Sequence, residues 1–124
     1  MTEIDDLNKK AVKLQKDVWK DTSLWKDNFT TAIAILEAAL KFNPNDVVTL
    51  TNLGAACCDL GNHEKAKPFL EKAIQLGSLD KNTYFNLGVA CINTQSIHLP
   101  HFNKANTLTA NDKTWEAYFD PHAH

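Results

Sequence analysis

The stretch Asn52-Leu53-Gly54-Ala55-Ala56-Cys57 comes back 34 residues later as Asn86-Leu87-Gly88-Val89-Ala90-Cys91. The same offset extends in both directions. Ala32, Leu36, Ala39 and Pro44 stand 34 residues before Ala66, Leu70, Ala73 and Ser78. A period of this length is the signature of a stacked repeat built from one supersecondary unit. The spacing predicts helices. Asp46 is placed to N-cap a helix over Val47–Leu60, which Gly61 stops in the left-handed conformation. Asn62 is placed to cap a second helix running to Leu76 before Gly77, and Asp80 a third from Lys81 to about Ile92. Small residues at Gly54, Ala66 and Ala73 let paired helices approach, while Leu50, Leu53 and Leu70 fill the space between them.

The run from Leu50 through Gly61-Asn62-His63-Glu64-Lys65-Ala66 to Ala73 resembles the tetratricopeptide repeat. That motif reads Trp-x-x-Leu-Gly-x-x-Tyr followed by Ala, Phe, Ala and Pro. Leu53, Gly54, Ala66 and Ala73 match it; Leu50 stands for the Trp, Cys57 for the Tyr and Leu70 for the Phe, with Leu87 and Gly88 repeating the core of the motif. The resemblance implies an all-α fold, an α-α superhelix of about three helical hairpins in a single domain. Units are expected at about residues 1–46, 47–80 and 81–112. A short capping helix over 113–120, amphipathic through Trp115, Tyr118 and Phe119, is expected to close the stack. The outer units depart from the pattern. Trp19-Lys20 replaces Leu-Gly in the first, where Ile4, Leu7, Ala11, Leu14 and Val18 predict one long opening helix. In the third, Phe102 and Ala105 come two residues early, the turn Asn93-Thr94-Gln95-Ser96 lacks glycine, and Pro100 sits near its helix start as Pro68 does in the unit before.

The resemblance also implies where a partner binds, since leading helices of such repeats line a concave groove. The expected lining is Val48, Thr51, Asn52, Ala55 and Asp59 from the middle unit, and Asn82, Phe85, Asn86, Val89 and Asn93 from the third. Asp17, Asp21 and Trp25 are the candidates in the first. Asn52 and Asn86 carry the most information, because a carboxamide presents donors and an acceptor together and can hold a peptide N–H and C=O at once. The partner expected is another protein, offering an extended segment or an amphipathic helix. Family members that clasp acidic chaperone tails use a Lys/Arg/Asn clamp. Asp17, Asp21, Asn82 and Asn86 stand where further clamp residues fall, and the carboxylates would repel a terminal carboxylate. The roles that follow are adaptor or chaperone, or a cognate inhibitor such as an immunity protein covering a toxin; a rival is a self-associating structural protein, with a homodimer formed through repeat ends or the Trp115/Tyr118/Phe119 face.

Composition narrows the classes. The chain has 124 residues, 44% hydrophobic and 23% charged, with a formal charge of -2 and no arginine among its 13 cations. That balance offers no electrostatic attraction for nucleic acid or an anionic membrane. The acidic start, Thr2-Glu3-Ile4-Asp5-Asp6, has no apolar core of a secretory signal, and no run approaches the ~20 apolar residues of a membrane helix. A cytoplasmic protein is expected. Cys57, Cys58 and Cys91 fall within apolar helical pattern and read as buried thiols, although Cys57 and Cys91 can also be read as a redox pair. His98 with His101 and His122 with His124 have ligand-like spacing. Pro100 interrupts the first pair, and solvated histidines are the expectation. No phosphate loop, nucleophile elbow or zinc-protease motif is present, so neither catalysis nor a cofactor is expected.

Overall fold

Helix formation follows the caps. The computed structural model describes residues 2–118 of the chain. Thr2 opens α1 (Glu3–Lys20) through a reciprocal capping box with Asp5, which satisfies two of the otherwise orphaned donors of the first turn. A short 3-10 turn, Thr22–Leu24, then leads directly into α2 (Trp25–Phe42). The Asp46 carboxylate accepts the Thr49 N–H and opens α3 (Val47–Leu60). Next come α4 (His63–Gln75), α5 (Lys81–Asn93) and α6 (Leu99–Ala105). Asp80 caps α5 through the Asn82 N–H, as expected. Asn62 precedes α4 without contributing a side-chain cap. Pro68 lies within α4 and Pro100 in the first turn of α6, where its missing N–H costs nothing.

The helices form an α-α superhelix of hairpins, with no strand among the described residues. Each helix packs on the next, and α3 additionally touches both α1 and α5. The alternate helices α2, α4 and α6 make no such contacts with one another among the described residues. Inner helices in mutual contact and outer helices spread apart are what bends a two-layer stack toward its inner face. The core is the seam between layers: Leu36, Leu50, Leu53 and Leu70 are fully buried, with Ala11, Ala32, Ala56, Ala66 and Ala73 letting the backbones close.

Two glycines set the hairpin spacing. A Cβ on Gly54 would lie about 2.5 Å from the Leu70 Cδ2, and one on Gly88 2.7 Å from the Phe102 ring. Both are distances no real side-chain carbon tolerates. Phe102 thus reaches the same seat as Leu70, although it comes two residues early in the sequence. The compensation lies in the turn. Gly61 ends α3 at φ 95°, with the Asn62 N–H bonded to the Cys57 carbonyl at 2.8 Å. One period later Gln95 takes the left-handed conformation at φ 57°, and the Ser96 N–H bonds to the Cys91 carbonyl at 2.8 Å. The lost glycine is replaced by a residue held in a conformation L side chains disfavour.

The C-terminal stretch differs from expectation. Residues 115–118 are not helical; the remainder of the expected 113–120 cap, Phe119 and Asp120, lies outside the described residues. The physical reason is that the polar backbone groups of this segment are spent on side chains of α3 and α5.

Candidate functional site

The inner face of the stack is a ladder of buried amides that holds the backbone of residues 113–117. α3 aims Asn52 across this face. Its Nδ2 donates to the Lys113 carbonyl at 3.1 Å and its Oδ1 accepts the Trp115 N–H at 2.7 Å. α5 places Asn86 in the equivalent position one repeat later. Its Nδ2 donates to the Trp115 carbonyl at 2.9 Å and its Oδ1 accepts the Ala117 N–H at 2.8 Å. In an extended chain the N–H and C=O of alternate residues point to the same side. One repeat of protein therefore advances the gripped segment by two residues. Its carbonyls and amides cannot bond one another while so engaged, which explains the missing cap helix.

A third asparagine steadies the ladder. Asn8 of α1, buried, accepts the second Asn52 amide proton at 2.9 Å and donates to the Thr49 hydroxyl at 2.8 Å and to the Ile4 carbonyl at 2.9 Å. Asn52 thereby uses both amide protons and its oxygen, so its orientation is fully determined.

The side chains of the held segment are also met. Asp80 serves twice: while capping α5 it accepts the Asn111 N–H at 2.9 Å and the Thr114 hydroxyl at 2.7 Å. Asn82 donates to the same Thr114 oxygen at 2.9 Å. Asp59, near the end of α3, accepts the Trp115 indole N–H at 3.0 Å and the Tyr118 backbone N–H at 2.8 Å. Burial pushes its carboxyl up to about 6, against the opposing pull of the bonds from Tyr118 and Trp115. Ala117 is buried to 3% exposure, whereas Lys113 and Glu116 face solvent. The Tyr118 ring lies against Trp19, centroids 5.2 Å apart, and both rings remain half exposed.

The expected groove residues divide into groups. Asn52, Asn86, Asn82 and Asp59 all bond the segment, and Phe85 lines a cleft with Trp115, Ala117, Tyr118 and Trp19. Val48 flanks Thr109, Ala110 and Asn111, where the segment approaches. Thr51 is used between helices, sharing a 2.6 Å hydroxyl contact with Thr83 of α5. Ala55 and Val89 are wholly buried in the core, and Asn93 is exposed and donates to its own helix at Val89. In the first unit Asp17 pairs with Lys13, Asp21 caps the 3-10 turn, and Trp25 is exposed at the start of α2. Asn8 is the first-unit residue that joins the ladder. It stands 44 residues before Asn52, so the period of 34 did not reveal it.

The other chemical candidates are placed as follows. The three cysteines are unpaired and buried; desolvation pushes the Cys57 thiol up to about 11 and the Cys58 thiol well above its usual range. His98 precedes α6 with its ring edge-on to Phe102 at 6.0 Å. His101 lies on α6, where burial lowers its pKa. Among the described residues no group of three or more His, Cys, Asp or Glu is arranged to hold a metal ion; His122 and His124 lie outside them. No helix among the described residues is long and apolar enough to cross a membrane.

A model of the tetratricopeptide repeat matches residues 35–67, the end of α2, all of α3 and the start of α4. Over those residues the chain is similar to the tetratricopeptide repeat family. Members of that family are generally non-catalytic modules of protein–protein interaction. A comparison with curated proteins finds no match.

Proposed function

We infer that this chain takes an extended segment of a partner protein along its concave face, gripping it by the backbone, as an adaptor or chaperone for that segment. The observation carrying this reading is the amide ladder. Asn52 and Asn86 each bond the carbonyl of one residue and the N–H of the residue two further on, a step that any extended polypeptide presents. Backbone recognition gives affinity without demanding a sequence, and side-chain seats beside it add selectivity. Asparagine at a helix interior is mildly unfavourable for the helix, and a buried, hydrogen-bonded pair is a polar network that contributes only while an extended chain completes it.

The test is site-specific photo-crosslinking in the native host. A crosslinking residue in place of Phe85, beside the ladder, is expected to capture the partner, and one in place of Glu71, exposed on the outer helix α4, is not. Capture through α4 with none through Phe85 would place the interaction on the outer layer and remove this reading.

A further inference from the structure

We propose that residues 113–118 are an internal stand-in for the partner, and that the partner is a protein whose extended segment carries Ser or Thr, then Trp, any residue, a small residue and an aromatic. This rests on the reading of the concave face as a peptide site and specifies what that site selects.

Each position follows from a seat the structure defines. Thr114 puts a hydroxyl between an acceptor and a donor, the Asp80 carboxylate at 2.7 Å and the Asn82 amide at 2.9 Å. The same short-chain oxygen donates to one and accepts from the other in a buried seat, which favours the hydroxyl of Ser or Thr. At the next position Asp59 takes an N–H from the indole, and tryptophan is the aromatic side chain that supplies a donor without an acceptor. Glu116 projects into solvent and is unread. Ala117 is closed in at 3% exposure, so a longer side chain there meets protein. Tyr118 rests on Trp19, a seat any aromatic ring fills. Asp59 and Asp80 set the charge: an acidic side chain at the first two positions would stand against a carboxylate.

The segment is held as a ligand would be, with Ala117 seated in the buried core cluster and Trp115 packed against it. It forms no helix, its hold is chiefly backbone to side-chain amide, and Lys113, Glu116 and Tyr118 are exposed. The large fully buried side chains of the stack, among them Leu36, Leu50, Leu53 and Leu70, all belong to helices. A tethered stand-in competes at an effective concentration of about millimolar, so it screens out weak or mismatched segments and yields to one that fits the same seats.

The experiment uses the full chain and a fluorescent synthetic peptide copying residues 111–118. Wild type is expected to bind it weakly. Trp115→Ala in the chain loosens the segment by removing its indole bond to Asp59, and the peptide is then expected to bind roughly ten-fold tighter. Changing the peptide's Trp to Ala, or its Ala to Leu, abolishes that binding, while changing its Glu to Ala leaves it unaltered. No binding to a folded Trp115→Ala chain overturns the proposal, as does binding that ignores the peptide's Trp. Ala117→Leu in the chain provides a second route to expel the segment. Should neither variant fold, hydrogen exchange on wild type decides: the Trp115 and Ala117 amides exchanging by local opening support a displaceable stand-in, and exchange only through global unfolding overturns it. A concentration-dependent dimer of the wild-type chain with the segments exchanged would make the occupant a second copy and refute the partner assignment. Crosslinking at Phe85 together with peptides that never bind would sink this proposal alone; capture confined to α4 would sink the groove reading.

Discussion

Replacing Asp59 with Asn tests the electrostatics of the held segment. The carboxylate accepts two hydrogen bonds from residues 115 and 118, yet burial raises its pKa from 3.8 to about 6. A carboxyl raised on folding binds its proton more tightly in the folded chain. Stability therefore falls as pH rises from about 4 to 6, and above that the folded state carries the whole cost. The full gap corresponds to about 3 kcal/mol, of which about 1.4 kcal/mol falls between pH 5 and pH 8. In Asp59→Asn this contribution vanishes, while the amide oxygen can still accept one of the two bonds. Urea titrations of both proteins at about pH 5 and pH 8 measure it. The variant is expected to lose that share of the pH dependence, so that its stability relative to wild type is greater at pH 8 than at pH 5. His101, whose lowered pKa gives the opposite slope, is common to both and cancels in the comparison. Equal pH dependence in the two proteins would refute the reasoning.

Further outcomes follow from the same contacts. Asn86→Ala strips partners from the Trp115 carbonyl and the buried Ala117 N–H; at ~1–3 kcal/mol for an unsatisfied buried group, the Ala117 amide is expected to exchange roughly ten- to a hundred-fold faster, and unchanged protection would show the ladder to be ornamental. Gly88→Ala drives a methyl into the Phe102 ring at 2.7 Å and is expected to cost ~1–3 kcal/mol in a melting experiment. Gln95→Gly relieves the left-handed residue at φ 57° and is expected to stabilise by up to ~1 kcal/mol, the reverse of the usual effect of adding glycine; a lower melting temperature would contradict the strain argument. The buried Cys57, Cys58 and Cys91 thiols, their pKa values raised by desolvation, are expected to react with a thiol reagent only as fast as the chain opens, which a comparison of native and urea-treated labelling measures.

Much of this molecule is legible in its residues because local rules govern it. A cap at Asp46 or Asp80, a left-handed stop at Gly61 and the period of small side chains at Gly54 and Gly88 depend on neighbours within one hairpin. They need no knowledge of the whole. Even the importance of Asn52 and Asn86 could be read, since an amide recurring in step on an inner helix must bond something. The long opening helix, by contrast, broke the period, and Asn8 went unseen at 44 residues from its partner.

What tertiary structure alone decided is what those amides hold. The sequence around Trp115 carries an amphipathic spacing equally suited to a capping helix, and its intrinsic preference does not choose. The choice was made by donors and acceptors on α3 and α5, up to 63 residues away along the chain, that compete for the segment's backbone groups and win only in the folded stack. Local chemistry wrote the scaffold, since capping and close approach act over a few residues; long-range hydrogen bonding determined the conformation of its tail.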